Sequence, residues 1–180
     1  MESRLKTPSW LRPLHGYSTT PGELLLIYST AVAFASLVLI SIPNKLAGLS
    51  ALQIAILVMV SVDLAGGAVA NLYPGTRTYW RSRTVPMRLV FLAVHAIHLL
   101  GLAYVFPQAA ASATLAYLWM LASGTILILT GNTSVPLALS LVLVGAAVIQ
   151  LPQGLEPAAS LLLTVFLLKL VFGFSGGLKN

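Results

Sequence analysis

The chain contains no cysteine and carries very little charge. Without cysteine it cannot form disulfides, thiolate nucleophiles or cysteine-ligated metal sites. Only 8% of its 180 residues are charged, whereas a soluble domain carries roughly 25%. The hydrophobic share is 58% and the mean hydropathy is +0.93. Because so few charges cannot coat a globule in water, the outer surface must face lipid, and the sequence predicts an integral membrane protein.

Charge is absent altogether between Arg88 and Glu156, where only His95 and His98 titrate near neutral pH. That stretch is long enough for about three crossings of roughly 20 residues each. Turn signals and prolines divide the whole chain into apolar segments of similar length. This pattern predicts an all-α bundle of about six transmembrane helices joined by short loops. A re-entrant fifth segment is the alternative. The predicted order is an N-terminal segment 1–21, spans 22–42, 50–72, 86–106, 111–130, 135–151 and 157–174, and a tail 175–180.

The distribution of lysine and arginine predicts the orientation. With six spans, eight basic residues fall on one side and only Lys45 on the other, so we expect a cell-membrane protein with both termini in the cytoplasm. The eight are Arg4, Lys6, Arg12, Arg77, Arg81, Arg83, Arg88 and Lys179. Because these charges flank apolar runs, the net charge of +6 indicates contact with anionic lipid and not with nucleic acid.

Asp63 is the first candidate for a functional residue, because a carboxylate inside a span is unfavourable by roughly 2.5 kcal/mol or more. We expect it to face the bundle interior with a partner. Gly67 and Asn71 follow at helical spacing, so the three share one face. Gly66 and Ala70 form a small-residue pair beside that face, which lets another helix approach closely.

His95 and His98 are the expected partners, one turn apart on the third span. Asp63 and His95 each lie about 12 Å from the same end of neighbouring antiparallel helices, so we expect these two to meet. Asp63, His95 and His98 are therefore the predicted catalytic group, able to exchange protons near neutral pH. The alternative is an interhelical hydrogen bond without further function. No H-E-x-x-H motif and no third histidine occur in the spans, so no metal or other cofactor is predicted.

A basic segment follows the second span. Arginine side chains there match the oxygens of a phosphate, which predicts a substrate-binding group of Asn71, Arg77, Arg81 and Arg88. Arg77 has the best position to line the same cavity as Asp63. The alternative is that these arginines, with Tyr79 and Trp80, only anchor the chain at the interface.

Two further charges lie near the ends of spans. Glu23 is expected to stabilise the start of the first helix. Lys169 is expected to extend to the inner surface, although pairing with Glu23 or Asp63 is an alternative.

Three functions remain open from the sequence. The preferred hypothesis is binding or processing of an anionic lipid or polyprenyl-phosphate-like amphiphile. A proton-coupled transporter of a small solute is the second, and a non-catalytic partner subunit of a membrane complex is the third. Whether the chain is an enzyme stays open, because no serine lies in a nucleophile elbow and no Asp-rich metal motif occurs.

Overall fold

The computed structural model describes residues 4–130 and 135–177. In this part of the chain helices dominate, and the two strands have only two residues each. The strands are β1 (Leu5–Lys6) and β2 (Ser18–Thr19). The helices are α1 (Arg12–His15), α2 (Pro21–Ile40), α3 (Pro43–Leu46), α4 (Ala51–Ala70), α5 (Pro74–Arg81), α6 (Val85–Val94), α7 (Ala96–Val105), α8 (Ala110–Leu129), α9 (Val135–Ile149) and α10 (Pro157–Leu167), and a π-helix (Leu168–Gly176) continues α10. Two 3-10 turns, Ser9–Leu11 and Pro107–Ala109, precede α1 and α8.

Five helical segments among the described residues are long and apolar enough to span a membrane. They are Pro21–Ile40, Ala51–Ala70, Val85–Val105, Pro107–Leu129 and Pro157–Gly176. The helical structure and these apolar helices are consistent with the predicted all-α membrane protein. The fifth predicted span corresponds to α9 (Val135–Ile149), which is shorter than these five segments. Lys179 and residues 131–134 lie outside the described residues.

At the start of two long helices, α2 and α4, side chains satisfy free N–H groups of the first turn. At the start of α2, Thr20 and Glu23 form a reciprocal capping box, which confirms the expected role of Glu23. Ser50 and Gln53 form the same arrangement at the start of α4.

The last helix lies at the centre of the bundle. About 67% of the Pro157–Gly176 segment is buried, against 22% for α2, so α10 and the π-helix are surrounded and α2 is peripheral. Helix α2 packs on α4 through small residues, because a Cβ on Gly66 would lie only 3.4 Å from the Ala31 Cβ. The small-residue face predicted on α4 is thus a helix contact.

The N-terminal segment folds onto α5 and forms a cap at one end of the bundle. The cap, residues 4–20 with α5, is held by hydrogen bonds from Trp80 Nε1 to the Pro13 carbonyl (2.9 Å) and from Thr76 Oγ1 to the Leu14 carbonyl (2.8 Å). Gly16 has φ +70°, and a Cβ there would lie 2.1 Å from the carbonyl carbon of Gly75, so the two backbones touch. Tyr79 and Trp80 are buried in this contact, so their rings are not exposed as the alternative of an interfacial anchor requires.

Contacts at the two ends of the bundle show where the connections lie. Lys45 and Glu156 form an ion pair that joins α3 to the start of α10. Arg77 lies beside Gly177 at the opposite end. In the first half of α9, Ser140 contacts Gly176. The segment after the end of α9 lines a cavity together with the start of α8.

Candidate functional site

The candidate site is centred on Asp63 of α4. Its Oδ2 atom lies 2.6 Å from Nε2 of His98 on α7, and it also accepts a hydrogen bond from the Lys169 ammonium in the π-helix. The carboxylate therefore joins three elements that are far apart in sequence. Asp63 lies about 10 Å from the end of α4, at about 1.5 Å per residue, so the cluster is inside the span.

His98, and not His95, is the direct partner of Asp63, which corrects the expected pairing. The reason is a break in the third span at His95. There the ring Nδ1 lies 2.6 Å from the Phe91 carbonyl, which in a regular helix would accept the His95 N–H. The His95 N–H bonds to the Leu92 carbonyl instead, at 3.2 Å. A side chain thus replaces a backbone bond, and the helix is interrupted at His95 without proline or glycine.

The break places the two imidazole rings together. The rings of His95 and His98 stack with their centroids 5.0 Å apart and their planes at 13°. His95 is buried, while His98 is partly exposed. Next to the break the Tyr117 hydroxyl donates to the Ala93 carbonyl at 2.7 Å, which satisfies an acceptor near the interrupted ladder. The two histidines are therefore held rigidly, with one in contact with Asp63 and the other behind it.

Lys169 does not extend to the inner surface, because it is buried and paired with Asp63. The alternative pairing is the one observed. The π-helix that contains it is stabilised at its backbone by Asn71, whose Nδ2 donates to the Lys169 carbonyl at 3.1 Å. Gly67 leaves room for the lysine side chain, since a Cβ there would lie 2.4 Å from Lys169 Cε. Single π-turns are frequent at functional sites, and here the π-helix carries the central cation.

The side chain of Asp63 is 47% exposed, so it does not face a closed interior as expected. It lies instead where three crevices meet. The largest, of about 480 Å³, runs between α4 and α7 from Asp63 and His98 to Tyr104 and is otherwise apolar. A second, of about 380 Å³, extends the other way to Gly67 and Asn71 under the cap. A third, of about 250 Å³, lies between α2 and α4.

The cap covers one end of these crevices. Pro13 and Leu14 line the second crevice, and Leu14 also lines the third. Their carbonyls accept the hydrogen bonds from α5 described above. The N-terminal segment therefore forms part of the site, which the sequence did not predict.

The predicted arginines do not reach the Asp63 crevices, as none of Arg77, Arg81 and Arg88 lines them. Arg77 Nε donates to the Asn71 carbonyl at the end of α4, at 3.1 Å. Burial, and secondarily the charge of Arg81, lowers the pKa of Arg77. Arg88 Nε donates to the Arg83 carbonyl. Arg81 is exposed on α5. The expectation that Arg77 lines the same cavity as Asp63 is wrong, because Arg77 closes the end of α4.

The cluster can donate and accept hydrogen bonds inside an apolar crevice. Asp63 offers a carboxylate that is open to the crevice, Lys169 an ammonium and His98 an imidazole. Comparison with protein-family models, curated proteins and solved structures gives no match for this chain.

Proposed function

We propose that this protein binds, within the membrane, an amphiphile with one long apolar chain and a small polar head group. The observation that carries the proposal is the meeting of three apolar crevices at Asp63. Binding sites of this kind are mostly apolar, with a few polar groups that fix orientation. The crevice between α4 and α7 would hold the chain, and the polar cluster would hold the head group.

The charges of the cluster favour an anionic head, such as a carboxylate or a monophosphate. Lys169 is already buried, so a ligand anion could accept from it in place of Asp63, whose own side chain is half-exposed and able to turn away. His98 could donate to the same head group. The same groups would supply acid and base if the head group is also processed.

We infer in addition that all six apolar helices cross the membrane and that both termini are cytoplasmic. The ion pair between Lys45 and Glu156 supports this arrangement, since it needs both connections at one end of the bundle. So does the course of α9 from Gly176 to the opposite end. The lack of cysteine allows a direct test, because single cysteines at Ser9 and Gln108 should be labelled from opposite sides of intact cells. Labelling of both from the same side would overturn the topology.

The binding proposal is tested by native mass spectrometry of the protein purified in mild detergent. Wild type should retain one discrete amphiphile mass per chain. Gly101→Leu should lose it, because a Cβ on Gly101 would already lie 3.0 Å from Ile56 in the α4–α7 crevice. Gly145→Leu is the matched control, since nothing lies within 4 Å of a Cβ there. Equal retention by all three proteins, or no retained mass in wild type, would contradict the proposal.

Proton-coupled transport is a second candidate, and the continuous contact from His98 through Asp63 to Lys169 favours it. Intramembrane acid–base chains of this kind carry protons in pumps and transporters. In proteoliposomes with an imposed pH gradient, transport predicts proton flux that Asp63→Asn abolishes. The binding proposal predicts no such flux, because both carboxylate and ammonium serve the head group.

A further inference from the structure

The cluster also contains a set of donors suited to a metal ion. A ring nitrogen of His95, a ring nitrogen of His98 and a carboxylate oxygen of Asp63 all lie within 4.8 Å of one another. Around Zn²⁺, with bonds of about 2.0–2.2 Å, neighbouring donor atoms are separated by roughly 3.3 Å. Shifts of about an ångström would therefore bring these three donors to bonding distance.

Backbone carbonyls orient both histidines for this role. The Phe91 carbonyl lies 2.6 Å from Nδ1 of His95, and the His95 carbonyl lies 3.3 Å from Nδ1 of His98. A carbonyl only accepts, so in these contacts each Nδ1 carries the proton, which leaves Nε2 of His95 for a ligand. Nε2 of His98 faces Asp63 Oδ2 at 2.6 Å, so a metal ion would replace the hydrogen bond between those two atoms. Metal-binding histidines have this pattern, with the other ring nitrogen donating to a carbonyl or carboxylate. The break at His95 thus sets the orientation of the two rings.

Lys169 already places a positive charge at this position. Its ammonium is buried against the same Asp63 oxygen that faces His98. A metal cation would need the lysine to withdraw, so the two cations exclude each other. The half-exposed carboxylate and the crevice under the cap give an ion access to the donors.

We propose that Asp63, His95 and His98 bind a divalent first-row metal ion of the Zn²⁺ type, in competition with the Lys169 ammonium. The donor set of two imidazoles and one carboxylate suits Zn²⁺ and its neighbours in the series better than Mg²⁺ or Ca²⁺, which prefer oxygen ligands. The three donors leave a position open toward the crevice. This inference does not depend on the proposed amphiphile.

The test uses the full chain in detergent, stripped of metal and lipid, titrated with Zn²⁺ by calorimetry and with Co²⁺ by visible absorption. Wild type should bind one ion with the d–d bands of a low-coordinate cobalt site. Lys169→Met should tighten binding at least tenfold, because the competing cation is gone. His95→Ala and His98→Ala should each weaken binding a hundredfold or more, while His15→Ala, which alters a histidine of the cap, should not.

The outcomes separate this inference from the proposed function. Absence of stoichiometric binding in both wild type and Lys169→Met, or binding that survives loss of both histidines, would overturn it. If Lys169→Met does not fold, Lys169→Gln is the replacement variant, and the histidine variants still decide the ligands. Amphiphile retention is measured separately in the presence of a chelator, so either proposal can fail alone.

Discussion

Two lysine–carboxylate pairs, at different depths, show opposite patterns of exposure. In the inner pair the Lys169 side chain is 4% exposed and that of Asp63 is 47%. In the outer pair the Lys45 side chain is 48% exposed and that of Glu156 is 15%. The inner pair therefore traps its cation and leaves its anion open to a crevice, whereas the outer pair leaves its cation free to move into solvent.

The inner pair can therefore exchange its anion for a ligand, whereas the outer pair only joins α3 to the start of α10. Glu156 lies at the start of α10, where a negative charge is favourable even without lysine. For Lys169, no other stabilising partner of this kind is found among the described side chains around it. Its charge must therefore be balanced by Asp63 or by an anion that replaces Asp63. The inner pair is therefore suited to a ligand, and the outer pair to structure.

The largest expected effect follows from removing the inner carboxylate. Asp63→Ala leaves a buried ammonium without its partner and should lower the free energy of unfolding by about 3–5 kcal/mol. Unfolding by sodium dodecyl sulfate in mixed micelles measures the change. The double variant Asp63→Ala/Lys169→Met should recover most of the loss, because no charge is then stranded. A double variant as unstable as the single one would show that the two residues are not coupled.

A smaller effect is expected from crowding the lysine without removing any charge. Gly67→Ala places a methyl group 2.4 Å from Lys169 Cε and should lower the free energy of unfolding by about 1–3 kcal/mol. Gly145→Ala in α9 is the matched control and should be neutral or stabilising by up to about 1 kcal/mol. The same unfolding assay applies to both. Equal behaviour of the two variants would place Lys169 away from α4.

The outer pair should respond weakly. Lys45→Met removes a half-exposed cation, and solvent-exposed ion pairs contribute about 0–1 kcal/mol. We expect the free energy of unfolding to change within that range. A loss comparable to that of Asp63→Ala would mean that the two pairs are equivalent, which would remove the basis of the comparison.

The smallest effect concerns the cap and its pH dependence. Burial lowers the pKa of His15 below 6.5, so the folded cap favours the neutral ring. Nε2 lies 2.9 Å from the Tyr28 hydroxyl, while the buried Nδ1 has no hydrogen-bond partner for an added proton. The cap is thus fully stable above pH 6.5, and stability is lost as the pH falls through 6.5 towards the lowered pKa.

Amide hydrogen exchange across residues 7–17 measures this opening. Protection in wild type, corrected for the intrinsic rate, should decrease below pH 6.5, and His15→Phe should keep a ring there without the pH dependence. Protection that rises as the pH falls, or the same pH profile in His15→Phe, would contradict the assignment to His15.

The long apolar helices and the position of Asp63 along α4 were predictable because they depend on local quantities. Apolar length and the prolines at helix starts gave the boundaries, and the shared face of Asp63, Gly67 and Asn71 followed from helical spacing. Asp63 and the two histidines lie at similar distances from the same end of two antiparallel neighbouring helices. Helical spacing was therefore enough to predict that α4 and the histidine pair lie close together.

The partners within the site were not predictable in the same way. Whether His95 or His98 meets Asp63 depends on a helix break made by a side chain–carbonyl contact, with no proline or glycine to mark it. Lys169 could extend to the surface or turn inward, and the π-helix that directs it inward has no signature in the sequence. The sequence feature that pointed to an inward orientation was the position of this lysine inside the last apolar run.

The cap was missed because its contacts are non-local. The hydrogen bond from Trp80 to the Pro13 carbonyl joins segments with no shared periodicity. Arg77 lies at the end of α4, beside the cap. The predicted link of the arginines to the Asp63 cavity was wrong because α5 buries Tyr79 and Trp80 and the Arg77 side chain turns to the end of α4.

Photo-crosslinking in native membranes tests the central claim most directly. Ile97 and Ile126 are both exposed on the bundle surface, but of the two only Ile97 lines crevices that meet at Asp63, namely the α4–α7 crevice and the one under the cap, so a photoreactive residue at Ile126 reports on bulk lipid. We expect one dominant adduct of discrete mass at position 97 and a mixture reflecting membrane composition at position 126. The same adduct distribution at both positions would contradict a specific amphiphile site at Asp63.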